Sequence, residues 1–561
     1  MRSGEADPSN GTERTSSPAR PPVRRLGRNA AATSLGALGG VAAGLLLDVA
    51  IAASFGAGPA TDSLFVAMRL PVGIAAVIMA GANQSLVPTF SRWHINKTSR
   101  DFSRSVSVIF GGTLVAGSLL AAIGMLLAHP LMALTAPGLS AAGIDQATAL
   151  ARVMFWLVPL VAAAEVLRGY MNARHRFGVP AAMGVVMNGL AAGIVIVASH
   201  RQVAVAAWAY VIGAAAQLLF MMVMATLAGL RLTPSLALRD PELAATARVS
   251  SRPLLAAALN PLARVVEQSM ISFLPAGSIT ILNYSNRLIS AIGGTVLFRS
   301  VMVVLLPRLT AAWEGSDLPA VRAITRSGIT LMLQLSLPLT AVFVVFSRPG
   351  AVVVFNRGQF TRSDALLLGT TLSVYATSLV GQAVQRALLA PFYARLSMKI
   401  PLRNSIYGVV ANLLLLPVLV LPARDNGTNA LIGVAVAFSI SQYVNVVHAW
   451  WHLRRTIGPV SDPAFNRSVI WSFVAMLVSG AVMLHASDVL GLDEVTPRWV
   501  LLGRTALAAT LGLSAFALLM IPLSRHPAER EGAGRHSAPR DDAGTDDTPD
   551  PTNPPARVGD A

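Results

Sequence analysis

A series of about fourteen apolar segments constrains this chain more than any other feature, each near the roughly 20 residues a helix needs to cross a bilayer. They fall at 31–55, 63–88, 105–128, 146–170, 179–199, 203–229, 253–275, 279–307, 327–347, 364–391, 402–422, 429–452, 468–486 and 499–523. In lipid each backbone N–H and C=O must be bonded inside its own segment, so runs of this length predict an all-α polytopic membrane protein. Composition points the same way. Of 561 residues, 54% are hydrophobic and 13% charged, against about 25% charged in a soluble domain.

The formal charge of +17 comes from Lys and Arg that lie mostly outside the apolar segments. That placement is the mark of membrane orientation. No basic stripe is interleaved with aromatics, so a nucleic-acid partner is not expected. The chain has no cysteine, which excludes disulfides, thiolate metal sites and cysteine nucleophiles. Residues 1–29 are polar and rich in Arg and Pro, with no cleavage site of signal-peptide type before the first apolar run. They read as a disordered basic tail, and 524–561 as a second disordered tail.

The connections set the topology. Those after odd segments carry few charges, with Asp62 alone in 56–62 and His129 and Asp145 in 129–145. Those after even segments are basic: Arg92, Lys97, Arg100 and Arg104; Arg174 and Arg176; Arg395, Lys399 and Arg403; Arg454 and Arg455. Arg348, Arg357 and Arg362 are exceptions within one outward connection. The positive-inside rule then places both termini in the cytoplasm of a multi-pass inner (plasma) membrane protein.

The chain also repeats itself. NARHRFGVP (172–180) matches YARLSMKIP (393–401), GVVMN (184–188) matches GVVAN (408–412), and SLVPTFSRW (85–93) matches LLPRLTAAW (305–313). Each pair is six segments apart, an even offset that preserves orientation. This predicts two six-helix lobes related by a pseudo-two-fold axis along the membrane normal, with a cavity between them. The N-lobe is expected at 30–229, a cytoplasmic linker at 230–252 and the C-lobe at 253–452, with two further helices at 453–523.

Ionisable residues inside such segments are costly and mark candidate sites. Asp48 lies in the first segment. Arg69 lies in the second, where it could reach along its helix to the cytoplasmic side. Glu165 and Arg168 are spaced to pair. Asn260, Arg264 and Glu267 share one face of the seventh segment. Arg287, Arg299 and Arg386 add cations in the second half. Pairing between helices accounts for Arg264 with Glu267 as well as function does. Arg287 and Arg386 have no carboxylate nearby in sequence and point to a water-filled cavity, whose cations suit a phosphate or pyrophosphate.

Gly36, Gly40 and Gly44 form a GxxxGxxxG face for close helix packing, with no strand before it to make a phosphate loop. His448 and His452 sit beside Trp450, Trp451, Arg454 and Arg455, the composition of an interfacial helix end more than of a metal site. Thr361 and Asp364 read as a capping box. No nucleotide or hydrolase motif occurs, so any transport is driven without a cofactor, by the membrane potential, a monovalent cation or the substrate gradient.

Ordered motifs add a resemblance. FGAGPATDSLFVAMRLP (55–71), GANQSLVPTF (81–90), NARHRFGVP (172–180), NYSNRL (283–288), VVLLPRL (303–309), FNRGQFTRSDAL (355–366) and APFYARLSMKIP (390–401) together resemble the MviN/MurJ family of the multidrug/oligosaccharidyl-lipid/polysaccharide exporter superfamily. The resemblance runs from about residue 33 to 523. It implies a transporter, not an enzyme. Its substrate would be lipid II, the undecaprenyl-pyrophosphate-linked peptidoglycan precursor, flipped to the outer leaflet by alternating access through a cationic cavity. It further implies that Arg287, which matches a cavity arginine of the family, and Arg386, which matches a basic position, hold the pyrophosphate; Arg264 and Arg299, which look like additions to the family pattern, and Asn260 would help. Asp48, Glu267, Asp62 and Arg69 would serve gating or ion coupling. Expected partners are the lipid-linked glycan, membrane lipids and cell-wall synthesis or division proteins.

The chain departs from the family pattern in its first lobe. Val41 and Leu47 stand where the family places arginines beside Asp48, Ala75 and Ala76 where it has an Arg pair, and Ala80 where it has an acid. Ser397 replaces an Asp. Two alternatives therefore stand beside lipid II: export of another lipid-linked glycan, such as an exopolysaccharide or teichoic-acid precursor, and a non-transporting scaffold acting through its tails. Without its neighbouring Arg, Asp48 must be protonated, reach water or pair with a distant cation, Arg264 or Arg287.

Overall fold

A computed structural model describes residues 23–198, 202–233, 237, 239–291, 298–423, 426–492 and 496–524. Among them are eighteen α-helices and no strand. The first lobe comprises α1 (Val23–Phe55), α2 (Pro59–Asn96), α3 (Ser99–Leu126), the short α4 (Ala128–Thr135), α5 (Ala141–Met154), α6 (Leu157–Ala173), α7 (Gly178–Val197) and α8 (Ala204–Leu227). The second comprises α9 (Pro241–Ile271), α10 (Ser278–Ile289), α11 (Phe298–Glu314), α12 (Leu318–Phe355), α13 (Arg362–Ala376), α14 (Ser378–Ala394), α15 (Lys399–Val420) and α16 (Gly427–Ile457). Two more helices, α17 (Pro463–Val489) and α18 (Arg498–Ser524), pair with each other against α12.

Among the described residues twelve stretches of helix are long and apolar enough to cross a membrane. The other two expected segments are α9, diluted by Arg264, Glu267 and Gln268, and α10 with α11, each too short alone. Of these, α9 and α10 carry polar residues that line the cavity between the lobes. The fourth and tenth segments are each broken in two. At the first break Pro159 has no N–H for the Phe155 carbonyl, so bonding tightens to three-residue turns, with the Val158 N–H on the Phe155 oxygen at 3.1 Å. The second break recurs at Thr377, six segments later. Thr361 and Asp364 form the expected capping box at the start of α13.

Packing repeats with the same offset. In the first lobe α2 lies on α6, α3 on α6, α6 on α8 and α7 on α8. In the second α11 lies on α14, α12 on α13 and α14, α14 on α16, and α15 on α16. The leading helices break the symmetry. In the first lobe α1 lies along α7, and the glycine stripe is the reason: a Cβ at Gly36 would stand 2.7 Å from that of Ala181, and Gly40 faces Gly184. Asn188 Nδ2 donates to the Gly40 carbonyl at 3.4 Å.

Its counterpart α9 makes little contact with α15. Leu262, Ala263 and Val266 face Ser405, Val409 and Leu413 across an apolar crevice of 240 Å³. Instead α9 leans on α2, where Leu254 fills the space over Gly81 and Ser250 Oγ donates to Ser85 Oγ at 2.8 Å. Glu242, near the start of α9, pairs with Lys97 at the end of α2. Asp240 caps α9, its carboxylate accepting from the Glu242 N–H at 2.8 Å. Helix α9 thus begins within the stretch expected to link the lobes, and α1 begins at Val23, so 23–29 extend the first helix. The tails 1–22 and 525–561 lie outside the described residues.

Candidate functional site

Helices α2, α9 and α10 enclose a cavity of 320 Å³ between the lobes, lined by Arg69, Arg264, Glu267 and Arg287. Arg69 does not extend towards the Lys97 end of α2. About 40 Å of helix separates it from Lys97, at about 1.5 Å per residue. It turns inward, where its guanidinium donates to Gln268 Oε1 at 2.5 Å and Asn283 Oδ1 at 3.2 Å. These bonds tie α2 to both α9 and α10.

Of the two cations named for Asp48, Arg287 stands against it and Arg264 is turned onto Glu267, at 3.2 Å. Arg287 also donates to the Tyr210 hydroxyl at 3.3 Å. Asp48 and Tyr210 belong to the first lobe and Arg287 to the second, so the pair bridges the lobes. Asp48 is 6% exposed, while the Arg287 side chain keeps 35% exposure on the cavity wall. Removing one member of such a pair would strand a buried charge, at a cost of about 3–5 kcal/mol. Leu47 is packed in the core and Ala76 lines the cavity. At these two positions the first-lobe side chains are apolar, and α9 and α10 bring Arg264 and Arg287 to the cavity.

Asp62, about two turns before Arg69 on α2, ties that helix to the start of α10. Its carboxylate accepts from the Gly277 N–H at 2.6 Å, the Thr280 N–H at 2.8 Å and the Thr280 hydroxyl at 2.6 Å. Gly277 has a φ of +90, and a Cβ there would stand 2.9 Å from the Ala57 carbonyl oxygen. Nearby, the Gln359 N–H donates to the Ala53 carbonyl at 2.8 Å and the Gly138 N–H to Ser272 Oγ at 2.9 Å. Every one of these bonds crosses between lobes. At the Lys97 end, the polar contacts between lobes run through α9 alone among the described residues.

Arg386 lines a neighbouring cavity of 420 Å³ inside the second lobe, bounded by α9, α14, α15 and α16. Arg264 and Glu267 stand on the wall shared by the two cavities, with the Arg264 guanidinium 5.2 Å from the Phe438 ring. The side chains of Asn260 and Arg299 lie outside the described residues. Glu165 and Arg168 pair at 2.7 Å inside the first lobe, away from both cavities. His448 meets Asn404 at 3.0 Å and packs against Tyr407 and His452 with ring centres 4.6 Å apart.

Sequence reasoning did not single out Gln268, Asn283, Thr280 or Tyr210. Asn283 carried a signal, one turn before Arg287 in NYSNRL, and Gln268 follows Glu267. Tyr210, in a helix that is apolar apart from Gln217 and Thr226, carried none.

The family model described as "Lipid II flippase MurJ" matches residues 51–509. A probable lipid II flippase MurJ of Vibrio cholerae is 26% identical over 508 residues, covering 86% of this chain and 92% of that protein. One from Buchnera aphidicola is 24% identical over 455 residues, covering 80% and 88%. Among solved structures, "Lipid II flippase MurJ, inward closed conformation" superposes with a TM-score of 0.73 at 17% identity, covering 88% of this chain and 99% of that one. An inward-facing multidrug resistance transporter of the MATE family superposes at 0.52 with 17% identity, covering 74% and 95%.

Proposed function

This chain belongs to the MurJ family of lipid II flippases, and from that premise we propose how its cavity does the work. The protein is a multi-pass membrane transporter, not an enzyme, and its substrate is lipid II, moved across the bilayer for peptidoglycan synthesis. The observation that carries the site reading is the convergence of Arg69, Arg264 and Arg287 on one cavity between the lobes. A pyrophosphate there gains charge-assisted bonds worth about 1.5–3 kcal/mol each.

The basic connections put the Lys97 end in the cytoplasm, together with both termini, and the Asp62 end outside. Substrate enters from the cytoplasmic leaflet while the bonds around Asp62 hold the outer end shut. Its pyrophosphate competes with Asp48 for Arg287 and loosens the tie between the lobes. The lobes then rock, the Asp62 contacts part, and the headgroup leaves outward. The inward-negative potential favours that direction by about 2.3 kcal/mol per charge per 100 mV. Glu267, paired with Arg264 on the shared wall, is placed to follow the same rearrangement. Contacts with cell-wall synthesis proteins would fall to the tails.

The test is replacement. A host depleted of its own lipid II flippase, with this chain as the sole substitute, is expected to grow and translocate lipid II. Failure of both, with the protein present in the membrane, would overturn the proposal.

A further inference from the structure

The repeat places Asn188 and Asn412 at equivalent positions, at the ends of GVVMN and GVVAN. Asn188 serves structure, since its amide bonds α1 and helps seal the first lobe. Asn412 has no such task, because α9 stands away from α15. Its Oδ1 is buried and accepts no hydrogen bond among the described residues. Asn445, only 5% exposed, has an Oδ1 in the same condition. Both line the second-lobe cavity. Buried amide oxygens are normally satisfied, so two unpaired ones on residues that line one cavity point to a ligand that donates to them after a small turn of either side chain.

The rest of the wall defines that ligand. It includes Gln382, Gln385, Ser441 and Gln442, together with the charged Arg264, Glu267 and Arg386. Amides and a hydroxyl both donate and accept. They suit a ligand dense in hydroxyls and amides, and they do not suit a hydrocarbon chain. The cavity adjoins the central one through Arg264 and Glu267, so a single molecule can span both.

We propose that the second-lobe cavity is a subsite for the glycan or peptide part of the substrate headgroup, while the central cavity takes the pyrophosphate. The inference rests on the flippase reading above. It assigns headgroup recognition to an opening that exists because α9 does not repeat the packing of α1.

The test uses the purified full chain and two probes, lipid II and a short prenyl pyrophosphate without glycan or peptide. Asn412→Leu and, separately, Gln442→Leu each replace an amide by an apolar side chain of similar size. Neither amide bonds another helix among the described residues, so the fold is expected to survive. Each variant is expected to weaken lipid II binding about tenfold, the loss of one or two hydrogen bonds, and to leave prenyl pyrophosphate binding unchanged. Arg287→Ala is expected to weaken both probes. Parent-like lipid II binding by both amide variants would overturn the subsite, as would an equal loss for the two probes. A parent chain that binds lipid II no tighter than the prenyl pyrophosphate would overturn the subsite alone and leave the flippase reading standing. A parent that binds neither would remove both.

Discussion

In the first lobe the leading helix lies flat on its neighbour, with Gly36 and Gly40 of α1 against Ala181 and Gly184 of α7. In the second lobe the equivalent helix, α9, stands off α15 and leans on α2 of the opposite lobe. The same six-helix plan thus gives one sealed half and one open half. In lipid, helices associate chiefly through close packing. A glycine stripe therefore closes one pair, while Leu262 and Val266 leave the other apart. The difference assigns the lobes different work. The sealed lobe supplies a firm wall and the carboxylates Asp48 and Asp62. The open lobe supplies Arg264, Arg287 and Arg386, and a second cavity.

The largest expected effect breaks the sealed half. Gly36→Leu would drive a side chain into Ala181, where even a Cβ is 2.7 Å away. A loss of about 3 kcal/mol is expected, read as a fall in melting temperature in detergent. The same residue at Ala263, facing the crevice of the open half, is expected to cost less than about 1 kcal/mol. Equal costs at the two positions would mean that the lobes do not differ in this way. A smaller effect tests the closure where the halves meet. Asp62→Asn removes the charge from a group with three donors and should favour opening of that end by about 2 kcal/mol, roughly 30-fold. The chain has no cysteine, so one introduced on the cavity wall gives a clean labelling signal. Faster labelling from the Asp62 side is expected, and a parent-like rate would show that Asp62 does not hold that end.

Much of this plan was legible in the sequence. Segment number, repeat and glycine stripe all come from local pattern, and local pattern is what determines each helix and its closest partner. Asp48 could be traced to two candidate cations because so few charges lie in the apolar segments. The lean of α9 was not legible, because it depends on which of two surfaces fits better, and hydropathy does not encode shape. The partners of Arg69 were not legible for a related reason: Gln268 and Asn283 lie 199 and 214 residues away in the chain. The weakest apolar segments, the seventh and eighth, carry the polar residues of the central cavity, so a blurred span was itself a pointer to the site.

The central claim is that Arg287, held by Asp48 across the lobes, provides the charge that the apolar first-lobe residues do not. Lipid II translocation by the Arg287→Ala variant in reconstituted vesicles tests it most directly. With the variant folded and inserted, translocation is expected to fall at least about tenfold, the loss of one charge-assisted contact to an ionised group. Translocation at the parent rate would contradict the account.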